Sequence, residues 1–328
     1  MNSDNPSFDH PDGPEFRLDS LTRQWVAITA KRQTRPNLPG ADNCPFCVGG
    51  QEASEPYDVK AFPNRWPAMV PGERLDLDSS ASLEEASVPA RGAAEVLVYS
   101  PDHQATFATL DRAQARRVVD LWAERTTALL ERPEVEYVLI FENNGAEVGA
   151  TIPHPHGQIY AFPFTPPVAE REAQVAADYG CPICAELRDR PDLQARTIDA
   201  NGSFVAFTRR AAAWPFELLI APREHIPSIE QLDDSERDDL ADVLRSALSR
   251  YRRVFDEPLP YMLWIHPGVH LHVHIVTTRR NATTVRYVAA GELGSGVMFN
   301  PVSPEDAAAA LREVDPQLHT AEALDSHG

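Results

Sequence analysis

The densest chemistry in the chain is the run His154-Pro155-His156-Gly157-Gln158. In an extended strand His154, His156 and Gln158 project from one face. An imidazole with its usual pKa of about 6.5 is mostly neutral at pH 7, so His156 can attack phosphorus without a base and leave readily in a second half-reaction. Gln158 can donate its amide to a non-bridging phosphate oxygen, and Gly157 would let a ligand approach the backbone closely. Only one of the two histidines can hold metal if the other is to do chemistry: His154 is assigned to metal, His156 to catalysis.

The four cysteines form two Cys-x-x-Cys pairs. Cys44 and Cys47, with His103 and His154, supply the two thiolates and two imidazoles of a closed tetrahedral zinc site. Cys181, Cys184, His225 and His270 occur in the same order further on and predict a second site of the same composition, hence one or two zinc ions per chain. Glu172, His266, His272 and His274 form a competing, harder second grouping that would take iron or zinc. Buried free cysteines and ordinary histidines are the plain alternative. Arg32 and Arg35 are spaced to clamp a phosphate bidentately, or are solvated loop charges. Phe62-Pro-Asn64-Arg-Trp66 offers an amide beside aromatic rings, suited to a nucleobase or to ordinary packing. Asn143-Asn-Gly is a turn signal first and a sugar or phosphate contact second.

These residues sit in a pattern written twice. A Cys pair, a strand (Glu95–Tyr99), a lone His, a helix near 111–131, a strand (Tyr137–Phe141) and a His-x-His are followed by a Cys pair, a strand (Glu217–Ala221), a lone His, a helix near 233–255, a strand (Tyr261–Ile265) and His270-Leu-His272-Val-His274. Asp111 and Asp233-Asp234 suit helix N-termini, while Val118, Val119, Trp122 and Leu129, then Leu240, Val243, Leu244 and Leu248, mark inward faces. The repetition predicts an α+β chain of two duplicated halves, 16–170 and 171–318, whose sheets pair or pack together. Segment 71–92 reads as a surface excursion, and Pro163-Phe-Thr-Pro-Pro167 as the exit from the first half.

With 30 basic and 49 acidic side chains in 328 residues, the net charge of -19 argues against nucleic acid and anionic membranes as partners. A phosphate compound would need a local cluster of Arg and backbone N–H groups working against that field. No run is apolar enough for a membrane helix, and the first 20 residues lack a signal-peptide core, so a cytoplasmic location is expected.

Arg32-x-x-Arg35-Pro, Cys44-x-x-Cys47, Ser100-Pro-Asp-His103, Phe141-Glu-Asn143, Pro153-His-Pro-His-Gly-Gln158 and Trp214-Pro-Phe-Glu217 together resemble the galactose-1-phosphate uridylyltransferase family of the histidine-triad superfamily, over nearly the whole chain. The resemblance implies histidine-triad-like halves, a mainly antiparallel sheet flanked by helices, and a ping-pong transfer in galactose metabolism. His156 would take the uridylyl group of UDP-glucose and pass it to galactose 1-phosphate, with Gln158 stabilising the intermediate. It further implies nucleotide-sugar or phosphate contacts at Asn64, Asn143, Arg32 and Arg35, a small-residue position at Thr151, a hexose-binding acid at Glu292, and a homodimer. Two departures stand out. Some members hold a second metal on a Glu and three His, here only Glu172, His266, His272 and His274, but the loop before His272 is shortened. The tail from Gly291 resembles relatives that act on ADP-sugars with inorganic phosphate as acceptor, an ADP-sugar or dinucleotide phosphorylase being the alternative.

Overall fold

The computed structural model describes residues 13–29, 43–73, 87–188 and 191–316; Arg32 and Arg35 lie outside them. In chain order the elements are β1 (Glu15–Leu18), β2 (Trp25–Ile28), β3 (Lys60–Pro63), β4 (Ser87–Pro89), β5 (Ala93–Val98), α1 (Arg112–Leu130), β6 (Tyr137–Asn144), β7 (His156–Phe162), α2 (Pro167–Tyr179), α3 (Pro182–Leu187), α4 (Pro191–Arg196), β8 (Thr197–Ala200), β9 (Phe204–Thr208), β10 (Leu218–Pro222), α5 (Asp234–Arg253), β11 (Tyr261–His266), β12 (His272–Val276), α6 (Ala290–Ser295) and α7 (Pro304–Glu313). Part of the supposed surface excursion is therefore strand β4, which pairs with β1 in a small sheet ordered β2-β1-β4.

The predicted helix starts are made by side chains. Asp111 accepts from the Gln114 amide at 2.7 Å, and Asp233 from the Glu236 amide at 2.8 Å, while Glu236 accepts in return from the Asp233 amide. These caps satisfy donors that each first turn leaves open.

Both halves share one antiparallel sheet, ordered β3-β5-β7-β6-β11-β12-β10-β9-β8. At its centre Phe141 pairs with Trp264, flanked by Ile140 with Ile265 and Glu142 with Leu263. Outward from that axis β7 matches β12, β5 matches β10 and β3 matches β9, so the duplication becomes an internal two-fold. The axis also corrects the register suggested by setting Tyr137 against Tyr261. Tyr261, Leu263 and Ile265 join the core with Val138 and Ile140, so Val138 corresponds to Tyr261 and Asn143 to His266. Gly157 pairs with Leu97 as Val273 pairs with Ile220, which matches His156 to His272 and Gln158 to His274.

Period-2 alternation splits the sheet into two faces. Leu97, Ile159, Leu263, Val273 and Ile275 pack on α1 and α5 through Val118, Trp122, Leu244 and Leu248; each such side chain contributes about 1.5–3 kcal/mol on burial. The other face carries Val96, Val98, His156, Gln158, Leu219, His272 and His274. With one side closed over its helices, the sheet presents polar chemistry on the other. Among the described residues no helix is long and apolar enough to cross a membrane.

Candidate active site and metal clusters

Strand β7 begins at His156, so His154 lies in the turn before it rather than on the strand. That turn aims His154 Nδ1 at the cysteines, 3.7 Å from Cys44 Sγ and 3.6 Å from Cys47 Sγ, while Cys47 Sγ lies 3.4 Å from His103 Nδ1. The opposite ring nitrogen, His154 Nε2, donates to the Ser100 carbonyl at 2.7 Å, which fixes the ring and leaves Nδ1 as the acceptor nitrogen. Burial lowers the His154 pKa, keeping the imidazole neutral as a metal ligand must be. Burial, then the neighbouring Cys44 sulfur, pushes the Cys47 thiol up to about 11. Two crowded thiols without a cation between them resist ionisation, and a bound divalent ion would relieve this. Tyr57, which no sequence pattern singles out, donates to the Phe46 carbonyl at 2.5 Å and stands 3.2 Å from His154 Nε2.

The second half repeats this arrangement. His270 Nδ1 lies 3.5 Å from both Cys181 Sγ and Cys184 Sγ, Cys184 Sγ lies 3.2 Å from His225 Nδ1, and His270 Nε2 donates to the Pro222 carbonyl at 3.0 Å. The grouping of Glu172, His266, His272 and His274 assembles as well. The two sets share no residue, so they are not alternatives for one second site as expected. Glu172 Oε1 lies 3.1 Å from His266 Nδ1 and 3.6 Å from His272 Nε2. Burial would raise the Glu172 carboxyl, but those two imidazoles hold it well below the usual carboxylate range. His274 stacks on Trp264 and reaches Glu217 at 3.5 Å.

On β7, His156 Nδ1 donates to the carbonyl oxygen of nearby His154 at 2.8 Å, so the ring's lone pair is on Nε2. The edge of Phe46, from inside the first Cys pair, packs on the imidazole with centroids 5.2 Å apart. His156 lines a cleft with Phe46, Phe62, Val96 and Ile152 as apolar wall and Asn64, Arg65 and Glu52 as polar lining. The Trp66 amide donates to Asn64 Oδ1 at 2.9 Å, and Asn64 Nδ2 donates to Gln158 Oε1 at 3.4 Å. This relay occupies the Gln158 oxygen and leaves its NH2 as the group to offer a ligand.

The remaining expected site residues are spread more widely. Asn143 is on the same face as Phe141, whose partner on β7 is Gln158. Thr151 precedes the cleft residue Ile152, its hydroxyl buried without a hydrogen-bond partner. Glu292 lines a separate cavity with Arg280, Arg286, Tyr287 and Phe299; there it pairs with Arg286 and accepts from the Ala289 amide at 2.9 Å. Gly157 serves a different purpose from the one expected. A Cβ on it would point to the helix side and overlap the Tyr99 hydroxyl, so the glycine makes room for a tyrosine, not for a ligand.

The chain thus combines a duplicated α+β sheet, an imidazole at a cleft wall with its Nδ1 fixed by a backbone carbonyl, and cysteine–histidine clusters that could hold metal ions, the features of a histidine-based transferase scaffold. Residues 7–166 match the N-terminal domain of galactose-1-phosphate uridyl transferase, and residues 168–324 match its C-terminal domain. The chain belongs to this family. It is 34% identical to the galactose-1-phosphate uridylyltransferase of Thermotoga maritima, over 93% of this chain and 99% of that one. A solved uridylyltransferase superposes with a TM-score of 0.80 at 28% identity, covering 91% of this chain and 97% of the other. An ADP-glucose phosphorylase from Arabidopsis thaliana, solved with bound ADP-glucose, superposes with a TM-score of 0.70 at 25% identity, covering 93% and 99%.

Proposed function

We propose that the protein moves UMP from UDP-glucose to galactose 1-phosphate through a uridylyl–His156 intermediate. The observation that carries this reading is the hydrogen bond from His156 Nδ1 to the His154 carbonyl. It directs the Nε2 lone pair outward and stabilises the positive charge the ring gains on attack. Nε2 attacks the α-phosphorus, the bond to the glucose 1-phosphate oxygen breaks, and that oxygen leaves with its electron pair. The galactose 1-phosphate oxygen then attacks the same phosphorus and the P–N bond breaks. The Gln158 NH2, oriented through Asn64, donates to a non-bridging oxygen in both steps. Asn143, Thr151, Arg32 and Arg35 are read as further nucleotide-sugar contacts, and Glu292 as the acid for the hexose.

The metals proposed are zinc in the two Cys2His2 sets and iron or zinc on Glu172, His266, His272 and His274. A tetrahedral zinc ion with its usual bond lengths separates sulfur from nitrogen by about 3.5 Å, close to the 3.4, 3.6 and 3.7 Å of the first set. Bound in the first set, zinc would hold His154 and hence the carbonyl that orients His156. Two halves of one duplication, 16–170 and 171–318, a homodimer and a cytoplasmic location complete the reading.

The tail from Gly291, together with the likeness to the ADP-glucose phosphorylase, supports a second reading: an ADP-sugar phosphorylase on the same scaffold, with inorganic phosphate as acceptor. Incubation with labelled UDP-glucose or ADP-glucose, followed by trapping of protein-bound nucleotide, separates the two. The expected result is UMP on the wild type and none on His156→Gly. Labelling that survives this substitution would overturn the nucleophile assignment.

A further inference from the structure

Behind the nucleophile, on the helix side of the sheet, lies a polar group that the proposed transfer does not use. Glu142, the middle residue of Phe141-Glu142-Asn143, is 2% exposed. Its Oε1 accepts from the Tyr261 hydroxyl at 2.6 Å, while its Oε2, near Asn144, and the Tyr99 hydroxyl, near Trp122 Nε1, are buried away from water. Tyr99 places its hydroxyl where a side chain on Gly157 would be. The residue between His156 and Gln158 therefore rests on this cluster from below.

The second half is an internal control. Ile265 stands where Glu142 does, and Val273 where Gly157 does, 2% and 1% exposed. The corresponding strand end, Ala221-Pro222, has no hydroxyl to offer. At these equivalent positions the second half closes over its helices with apolar side chains, whereas beside His156 and Gln158 the first half places Glu142 and Tyr99, with Tyr261 reaching across from β11. Burying a carboxyl and two further polar groups costs free energy that Ile and Val avoid, so the fold alone does not require them.

We propose that Glu142, acting through Tyr99 and Gly157, is a positioning residue that sets His156 and Gln158 for transfer, and that its gain or loss of a proton alters that setting. The groups facing it are Tyr261 from β11, Tyr99 from the end of β5, Trp122 from α1 and Asn144 on its own strand, with Arg252 of α5 acting on Tyr261. Burial, opposed only by Tyr261 and Asn144, pushes the Glu142 carboxyl up to about 7, so it changes charge near neutral pH.

This inference rests on the proposed uridylyl transfer, and two readouts keep them apart. In full-length protein with isotope-labelled histidine, the His156 ring resonances followed against pH should show a second inflection near 7 that disappears in Glu142→Gln and moves in Tyr99→Phe. In single turnover with UDP-glucose, Glu142→Gln should lower the rate of His156 nucleotidylation about tenfold and remove its pH dependence near 7, with KM within about twofold, as lost positioning predicts. Metal content and circular dichroism should match the wild type. A second inflection, beyond that of the imidazole itself, that persists in Glu142→Gln, or one missing from the wild type, overturns the proposal. A normal inflection in a wild type that no nucleotide sugar labels instead overturns the transfer reading.

Discussion

His156 donates from Nδ1 to the backbone carbonyl of His154 at 2.8 Å, and His272 does the same to His270 at 2.7 Å. The two halves therefore fix their imidazoles through the same hydrogen bond and differ in the side chain two positions further along each strand. In the first half this is Gln158, which can donate to phosphate. In the second it is His274, which makes that position part of a cluster that could hold a metal ion.

Gln158 is held by Asn64, itself held by the Trp66 amide. Gln158→Ala should lower kcat by about 10²- to 10³-fold with a much smaller change in KM, the expected loss for a donor that acts mainly in the transition state. Asn64→Ala should give a smaller fall in kcat, because it frees the Gln158 amide to rotate. Steady-state kinetics on both variants checks this; equal increases in KM alone would assign both residues to ground-state binding.

Gly157→Ala should destabilise the protein by about 1–3 kcal/mol through overpacking against Tyr99. Removing the obstructing oxygen in Gly157→Ala/Tyr99→Phe should recover part of that loss. Urea unfolding of the two single variants and the double variant tests the coupling, and strictly additive losses would show that the two positions do not touch.

The second half has two separate donor sets. Cys181→Ser and His274→Ala should each lower metal content by about one ion per chain, and the double variant by about two. If either substitution removed the same ion as the other, elemental analysis would show a single shared site.

Glu142 is held with its carboxyl raised from 4.5 to about 7. A raised acid binds its proton more tightly in the folded state. Its stabilising contribution is complete below the unfolded pKa and is lost as pH climbs through the folded one. Between about pH 5 and 8, wild type should lose on the order of 3 kcal/mol relative to Glu142→Gln. Parallel urea-midpoint curves for the two proteins over that range would show that Glu142 does not titrate there.

Much of this was legible in the residues themselves. Asp111 and Asp233 announced the helix starts because a capping carboxylate is a local interaction. The apolar spacing of Val118, Trp122, Leu244 and Leu248 gave the inward faces because helix period is also local. The Cys pairs and their histidines could be grouped because the pattern occurs twice and one copy checks the other. Other features depend on strand pairing between distant segments, which no local pattern encodes. They include the one-residue slip that matches Asn143 to His266, the coexistence of Glu172, His266, His272 and His274 with the second Cys set, and the reason for Gly157. Sequence alone determined which side chains could attack phosphorus or bind metal. Tertiary structure decided which of them meet, because the fold of the sheet brings β7 over Tyr99 and Glu142 and seats His154, ahead of the strand, against cysteines 110 and 107 residues away in the chain.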